Sequence, residues 1–290
     1  MEQKVLGRIG HQALSPFYPR FESVARYLTF PVSGRAMGDL LRRGRIFAGP
    51  VAPLEYFRLL KAGCEPLHDY GLFVNPYIYE NMDTTHAGGA MAALVQAPYV
   101  LMMSGPVHRS KYVRVGVSED IFHGCPDAML LAQLLLTLYW EVPHSLGTDP
   151  DGEYDALLCE GGPTMRSRIR WAKGLGYAYD LALEWYRWRK TPYAFYRWVS
   201  QPDVSNLGRK ELTRDLNLTL ELNLRNLPSL ALEHANMLDC QRHDSLAYYQ
   251  SFGYRLDLWA ENSEAQLGGM IELLKNSELA FMDSGSGVNL

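Results

Sequence analysis

The chain has 290 residues, enough for one large domain or for two lobes that each bury a core. Hydrophobic residues make up 47% and charged residues 21%, an ordinary globular composition. The net charge of −4 argues against a broad nucleic-acid footprint, and no uninterrupted apolar run reaches the about 18 residues of a membrane span.

Met1 to Lys4 lead straight into a strand-like run at 5–9 without the apolar core of a secretion signal, so a cytoplasmic protein is expected. Cys64, Cys125, Cys159 and Cys240 are widely spaced and form no C-x-x-C, which reads as free thiols. A polar and aromatic loop follows at 10–18, then a second strand at 27–32. Ser33 is placed to cap a helix at 35–43, and Gly44 to end it. A third strand at 45–51 leads to Pro53, a favoured residue for a helix start. This order predicts a mostly parallel sheet with helices packed on it.

The pattern restarts after a strand at 99–104. A strand at 112–118, a long apolar helix at 126–140 and a strand at 154–159 precede the turn Glu160-Gly161-Gly162-Pro163. Helices are expected at 165–173 and 181–189, and an aromatic strand at 193–200. From 206 to 276 the pattern is helical throughout, and the Ser/Gly-rich end reads as a flexible tail. No internal sequence repeat is visible. The strands at 99–104 and 193–200 bracket an α/β unit, which predicts a two-lobed clamshell with mixed sheets and a helical C-terminal segment. The first lobe is then 1–104 plus 193–276, the inserted lobe 105–192, and the tail 277–290.

Three segments carry a resemblance. They are Pro50-Val51-Ala52-Pro53-Leu54-Glu55-Tyr56, the aromatic and acidic run from Tyr179-Asp180-Leu181 through Glu184-Trp185 to Trp198, and the stretch from Tyr248 to Asp257. With Arg8-Ile9-Gly10 they resemble the chorismate dehydratase family of the futalosine route to menaquinone, loosely over residues 4–276. The resemblance implies a type II periplasmic-binding-protein fold used as a cytosolic lyase. It also implies a dehydration that aromatises the chorismate ring. Asp180, as a helix cap, and Trp185 with Trp188, on one helix face, read as scaffold.

The loops that would touch ligand depart from the family pattern. His11-Gln12-Ala13-Leu14-Ser15 stands where the family carries a Ser-x-x-Asn-Thr-type run. Ala52 stands where it places serine, and His123-Gly124-Cys125-Pro126-Asp127 replaces a Ser/Thr-rich turn. A different enzyme on the same shell, or a small-molecule-binding protein without catalysis, therefore stays open.

A carboxylated substrate needs its charge offset, which helix N-termini and Arg35 can do. Elimination of water needs a base, an acid and tight positioning. His11, His123 and Asp127 are the catalytic candidates, each also readable as an ordinary loop or first-turn residue. Gln12, Ser15, Arg35, Ala52, His86, Cys125, Gly161, Gly162 and Thr164 are the candidates for holding substrate. No cofactor motif is present: Gly174-x-Gly176 lacks a third glycine, and there is no Walker A loop, HExxH or G-x-S-x-G. His234, Cys240 and His243 lack a fourth ligand at a telling spacing, so no metal is expected. The expected partner is a small carboxylated molecule, with no nucleic acid and no membrane. The sequence leaves open a homodimer.

Overall fold

The computed structural model describes residues 4–18, 27–75, 96–118, 121–122, 125–149, 152–165, 176–256 and 258–282. β1 (Lys4–Arg8) pairs in parallel with β2 (Tyr27–Pro31) and with β3 (Ala48–Val51). Between β2 and β3 lies α1 (Gly34–Arg42), begun by the Ser33 hydroxyl, which accepts the Ala36 N–H at 3.3 Å. Gly44 follows that helix at φ +65°, a left-handed position where glycine meets no steric penalty. α2 (Pro53–Lys61) opens on its proline and leads into β4 (Glu65–Val74).

The second sheet begins with β5 (Tyr99–Met103) and β6 (Val113–Val117). α3 (Pro126–Leu134) runs on into a π turn, Leu135–Tyr139. Then come β7 (His144–Gly147), β8 (Ala156–Glu160), β9 (Tyr177–Asp180) and α4 (Leu181–Arg189). The chain returns to the first sheet through β10 (Ala194–Ser200). Helices α5 (Asn206–Arg225), α6 (Leu227–Leu238) and α7 (Arg242–Gln250) follow. β11 (Phe252–Arg255) and α8 (Leu258–Met282) close the described chain.

The sheet orders are β11-β4-β10-β3-β1-β2 and β7-β6-β8-β5-β9. Both are variations on one plan. A unit's second strand lies beside its first, then its third, then a strand from the crossing between halves, then its fourth. The crossing strand runs antiparallel to both neighbours: β10 to β3 and β4, and β5 to β8 and β9. The plan repeats although the sequence does not, because strand pairing constrains burial pattern rather than residue identity.

The structure corrects several expectations. The strand at 99–104 does not belong to the first lobe's sheet; β5 lies inside the second sheet, so the crossing precedes Tyr99. The stretch 206–276 is not helical throughout, since β11 interrupts it and pairs with β4. The last helix continues past 276 to Met282. The first loop contains a 3-10 turn, Gln12–Phe17, that buries Ala13, Leu14 and Phe17. β4 escapes a sequence reading because Pro66, Asp69 and Gly71 look like loop punctuation. Pro66 is accommodated beside a register shift against Val199. The predicted helix at 165–173 lies almost entirely outside the described residues.

Aromatic side chains fill the space around the return strand. Trp185 and Trp198 are fully buried, and Trp185 packs edge-on against Trp188 at 5.8 Å and Tyr193 at 5.2 Å. Buried Arg197 on β10 pairs with Glu264 of α8 and lies 5.1 Å from the Tyr56 ring centroid, tying the last helix to the first sheet.

The Asp180 carboxylate accepts the Ala182 and Leu183 N–H groups at 2.9 and 3.2 Å, starting α4. Replacing this buried cap, Asp180→Ala, is expected to cost about 1–2 kcal/mol. A lower urea midpoint at unchanged slope would register the loss, and an unchanged midpoint would show that the cap contributes nothing.

Candidate functional site

His11 follows the C-terminal end of β1, where the parallel strands of the first sheet stop. The 3-10 turn beneath it presses the imidazole inward, and only 4% of the residue stays exposed. Its ring packs against Tyr99, at the start of β5, at 5.8 Å and against Tyr196, on β10, at 5.5 Å. It thus touches both crossing strands. Neither ring nitrogen has a hydrogen-bond partner. The Glu160 carboxylate at the end of β8 comes no closer than 3.9 Å, beyond a hydrogen bond. Burial lowers the imidazole pKa to about 4, so His11 is neutral at pH 7.

The first turn of α3 supplies the opposing chemistry. Cys125 occupies the N-cap without a side-chain cap, Pro126 starts the helix, and Asp127 follows in the first turn. Asp127 is 1% exposed and neither carboxyl oxygen has a partner. Burial raises its pKa well above the ordinary carboxylate range, which keeps the acid protonated. The Cys125 pKa is pushed up to about 12, by burial first and then by Glu160. It is therefore a neutral thiol rather than an activated nucleophile.

Tyrosines enclose these groups. The Tyr99, Tyr193 and Tyr196 hydroxyls are buried; Tyr99, Tyr196 and the Cys125 thiol are hydrogen-bonding partners of one another, and the Tyr193 hydroxyl has no partner among the described residues. Their pKa values are raised, by burial first and then by charges they would share: Tyr99 and Tyr196 with Cys125 and Asp127, Tyr193 with Asp127. The phenols, the acid and the thiol therefore sit around one locus. Unpaired polar atoms in a protein interior each cost about 1–3 kcal/mol, so the unpaired groups of His11, Asp127 and Tyr193 weaken the fold.

The remaining candidates are distributed as follows. Gln12 and Ser15 lie in the 3-10 turn, partly buried, and the Ser15 carbonyl accepts the Tyr18 N–H at 3.0 Å. Ala52 is buried at the cap of α2, its carbonyl accepting from Tyr56 at 2.8 Å. The Arg35 guanidinium stacks 4.2 Å from the Phe122 ring centroid, reaching from α1 toward the segment that leads into α3. Gly161 donates its N–H to the Pro98 carbonyl at 2.9 Å, and a side chain there would collide with the Ala97 carbonyl. Gly162, at φ +89°, lies under the Tyr248 ring of α7. Thr164 is partly buried just beyond that turn. His86 and His123 lie outside the described residues. The structure thus gathers His11, Cys125 and Asp127, with the glycine turn beside them through Glu160 and Pro98.

Tyr99, Tyr193, Tyr196 and Glu160 were not singled out from the sequence. The signal was there in bulk, as 18 tyrosines, but selecting these needed the knowledge that β5 and β10 flank the same gap. A groove of about 360 Å³ opens nearby at the ends of β1 and β2, lined by Arg8, Gly10, Pro31, Val32 and Ser33. Among the described residues, no group of three His, Cys, Asp or Glu side chains is placed to hold a metal ion. His234 instead contacts the Tyr249 hydroxyl. No described helix is long and apolar enough to cross a membrane.

No protein-family model matches the chain, and no curated protein matches it by sequence. Solved structures do match in shape. Protein AF1704 from Archaeoglobus fulgidus superposes with a TM-score of 0.67 at 13% identity, over 93% of this chain and 97% of that one. The periplasmic aliphatic sulphonate binding protein SsuA from Escherichia coli gives 0.60 at 11%, over 96% and 88%. A Candida albicans protein described as having the generic periplasmic binding protein fold, the CA3427 gene product, gives 0.56 at 10%, over 96% and 95%. The chain has the periplasmic-binding-protein fold. Within it, His11 lies between Tyr99 of the second sheet and Tyr196 of the first.

Burial of neutral His11 couples stability to pH. Between its folded value of about 4 and its ordinary value of 6.5, the unfolded chain binds more protons. This side chain's contribution therefore falls as pH drops through that window, by up to about 3 kcal/mol. Asp127, with a raised pKa, acts with the opposite sign: its contribution falls as pH rises above 3.8. Urea unfolding at pH 7 and pH 4.5 should show His11→Gln losing less stability on acidification than the parent. Equal losses would mean that the imidazole is solvated.

Proposed function

We propose that the chain is a carbon–oxygen lyase of the chorismate dehydratase kind, removing water from chorismate or a related carboxylated ring held in the cleft. The observation that carries this reading is that a buried imidazole and a buried carboxyl, neither with a hydrogen-bond partner, both border Tyr99 and Tyr196. The sequence resemblance, and the fold shared with protein AF1704 and with the sulphonate-binding SsuA, support it.

In this reading His11 takes a ring proton as the C–H bond breaks. Asp127 gives its proton to the departing hydroxyl as the C–O bond breaks, and water leaves. The electron pair of the C–H bond becomes the new ring double bond. His11 ends protonated and Asp127 ionised, and a proton passed back from one to the other restores the starting state. Burial sets the starting protonation state the reaction requires, a neutral base and an uncharged acid. The substrate carboxylate is assigned to the groove beside Arg8 and the amide end of α1.

A second reading, ligand binding without turnover, draws on SsuA, which binds aliphatic sulphonates and shares the fold. Incubation with chorismate, followed by mass spectrometry for loss of one water, separates the two. The expected result is product formation that falls about 100-fold or more in Asp127→Asn while chorismate binding persists. The rate should decline below pH 4, as His11 protonates, and again at a pH above the ordinary carboxylate range, as Asp127 ionises. Tight binding with no product at high protein concentration would favour the second reading.

A further inference from the structure

We infer that the groove between α5 and the β4–β11 edge of the first sheet is a second binding site, one that takes a small phosphorylated molecule bearing hydroxyl groups. It stands apart from the cleft reading. The groove shares no lining residue with the one at the ends of β1 and β2, and β10 and β3 lie between β4 and β1 in the sheet.

The groove has a volume of about 580 Å³, within the range of small-molecule sites. Two contacts fix its walls. The Tyr70 hydroxyl of β4 donates to the Thr213 carbonyl of α5 at 3.1 Å, and the Leu256 N–H that follows β11 donates to the Asp69 carbonyl at 3.2 Å. Three cations line the space between these walls. Lys210 and Arg214 stand on adjacent turns of α5, and Arg255 comes from β11, where it is the register partner of Tyr70. The Arg255 guanidinium donates to the Asn217 amide oxygen and, at 2.9 Å, to the Glu221 carboxylate, so its fork is oriented before any ligand arrives. Arg214 pairs with its chain neighbour Asp215 at 3.4 Å, and Lys210 forms no ion pair among the described residues. Like charges on adjacent helical turns repel, and an exposed pair such as Arg214–Asp215 offsets little of that repulsion. A phosphate group offsets it, by accepting from the guanidinium forks and neutralising the ammonium. Asp69 is the one carboxylate among the described lining residues. It repels a phosphate oxygen but accepts from a hydroxyl, which selects the ester of a hydroxylated molecule over bare phosphate.

Calorimetric titration at constant ionic strength tests this with two probes, inorganic phosphate and glycerol 3-phosphate. The parent should bind glycerol 3-phosphate with a Kd of about 1 mM or tighter and favour it over inorganic phosphate by about five-fold. Lys210→Ala and Arg214→Ala should each weaken both probes by about ten-fold. Arg43→Ala, which removes an exposed cation outside the groove, should leave both within about two-fold. Asp69→Ala should act in two directions, strengthening inorganic phosphate and erasing the preference for the ester. Without ligand, scanning calorimetry should find Lys210→Ala and Arg214→Ala melting at the parent's temperature or above, because each relieves the repulsion along α5. Binding of neither probe, an equal loss in Arg43→Ala, an unchanged preference in Asp69→Ala, or a fall in both melting temperatures would overturn the assignment.

Discussion

β5 and β10 each enter the sheet built by the other half of the chain and run antiparallel between two of its strands. Every other feature of the cleft follows from that exchange. A strand held by hydrogen bonds on both edges has little freedom, so the residues at its entry are fixed relative to both neighbours. Tyr99 stands at one entry, and Tyr193 and Tyr196 at the other. His11, at the end of β1, meets both strands because β1 neighbours β3, and β3 pairs with β10. The polar groups are thus positioned by main-chain pairing rather than by the loops that carry some of them.

Burial then sets the chemistry. His11, Asp127 and Cys125 differ in kind, yet desolvation drives each toward its uncharged form, because a charge in this setting has no counterion close enough to offset its loss of water. A base and an acid that share a site ordinarily exchange their proton and become an ion pair. Here desolvation favours the uncharged form of each side chain separately. Keeping these groups from water costs stability, while the buried aromatic packing around Trp185, Trp198 and Phe195 contributes to it.

Much of the shell was legible in the sequence. Ser33, Gly44, Pro53 and Asp180 announced helix boundaries through local chemistry that tertiary structure did not override. β4 and β11 were not legible, since Pro66, Gly71 and Gly253 break the alternation that marks a strand, and only pairing partners distant in sequence complete them. Within the cleft, the loop after β1 and the turn before α3 were visible as places where strands end and helices begin. The tyrosines were not, because a buried tyrosine on a strand has the same local signature whether its hydroxyl meets a ligand or a carbonyl. That distinction exists only in three dimensions, where the surrounding groups can be searched for an acceptor.

The stacking of Arg35 on Phe122 joins the start of α1 to the residues that precede α3. An exposed cation–π contact is worth about 0.5–1 kcal/mol, which favours the joined arrangement of these two segments by only about two- to five-fold. A link of that strength yields to thermal fluctuation. The main-chain pairing of β5 and β10 therefore sets the relation of the elements, and this side-chain contact adds only a slight preference to it.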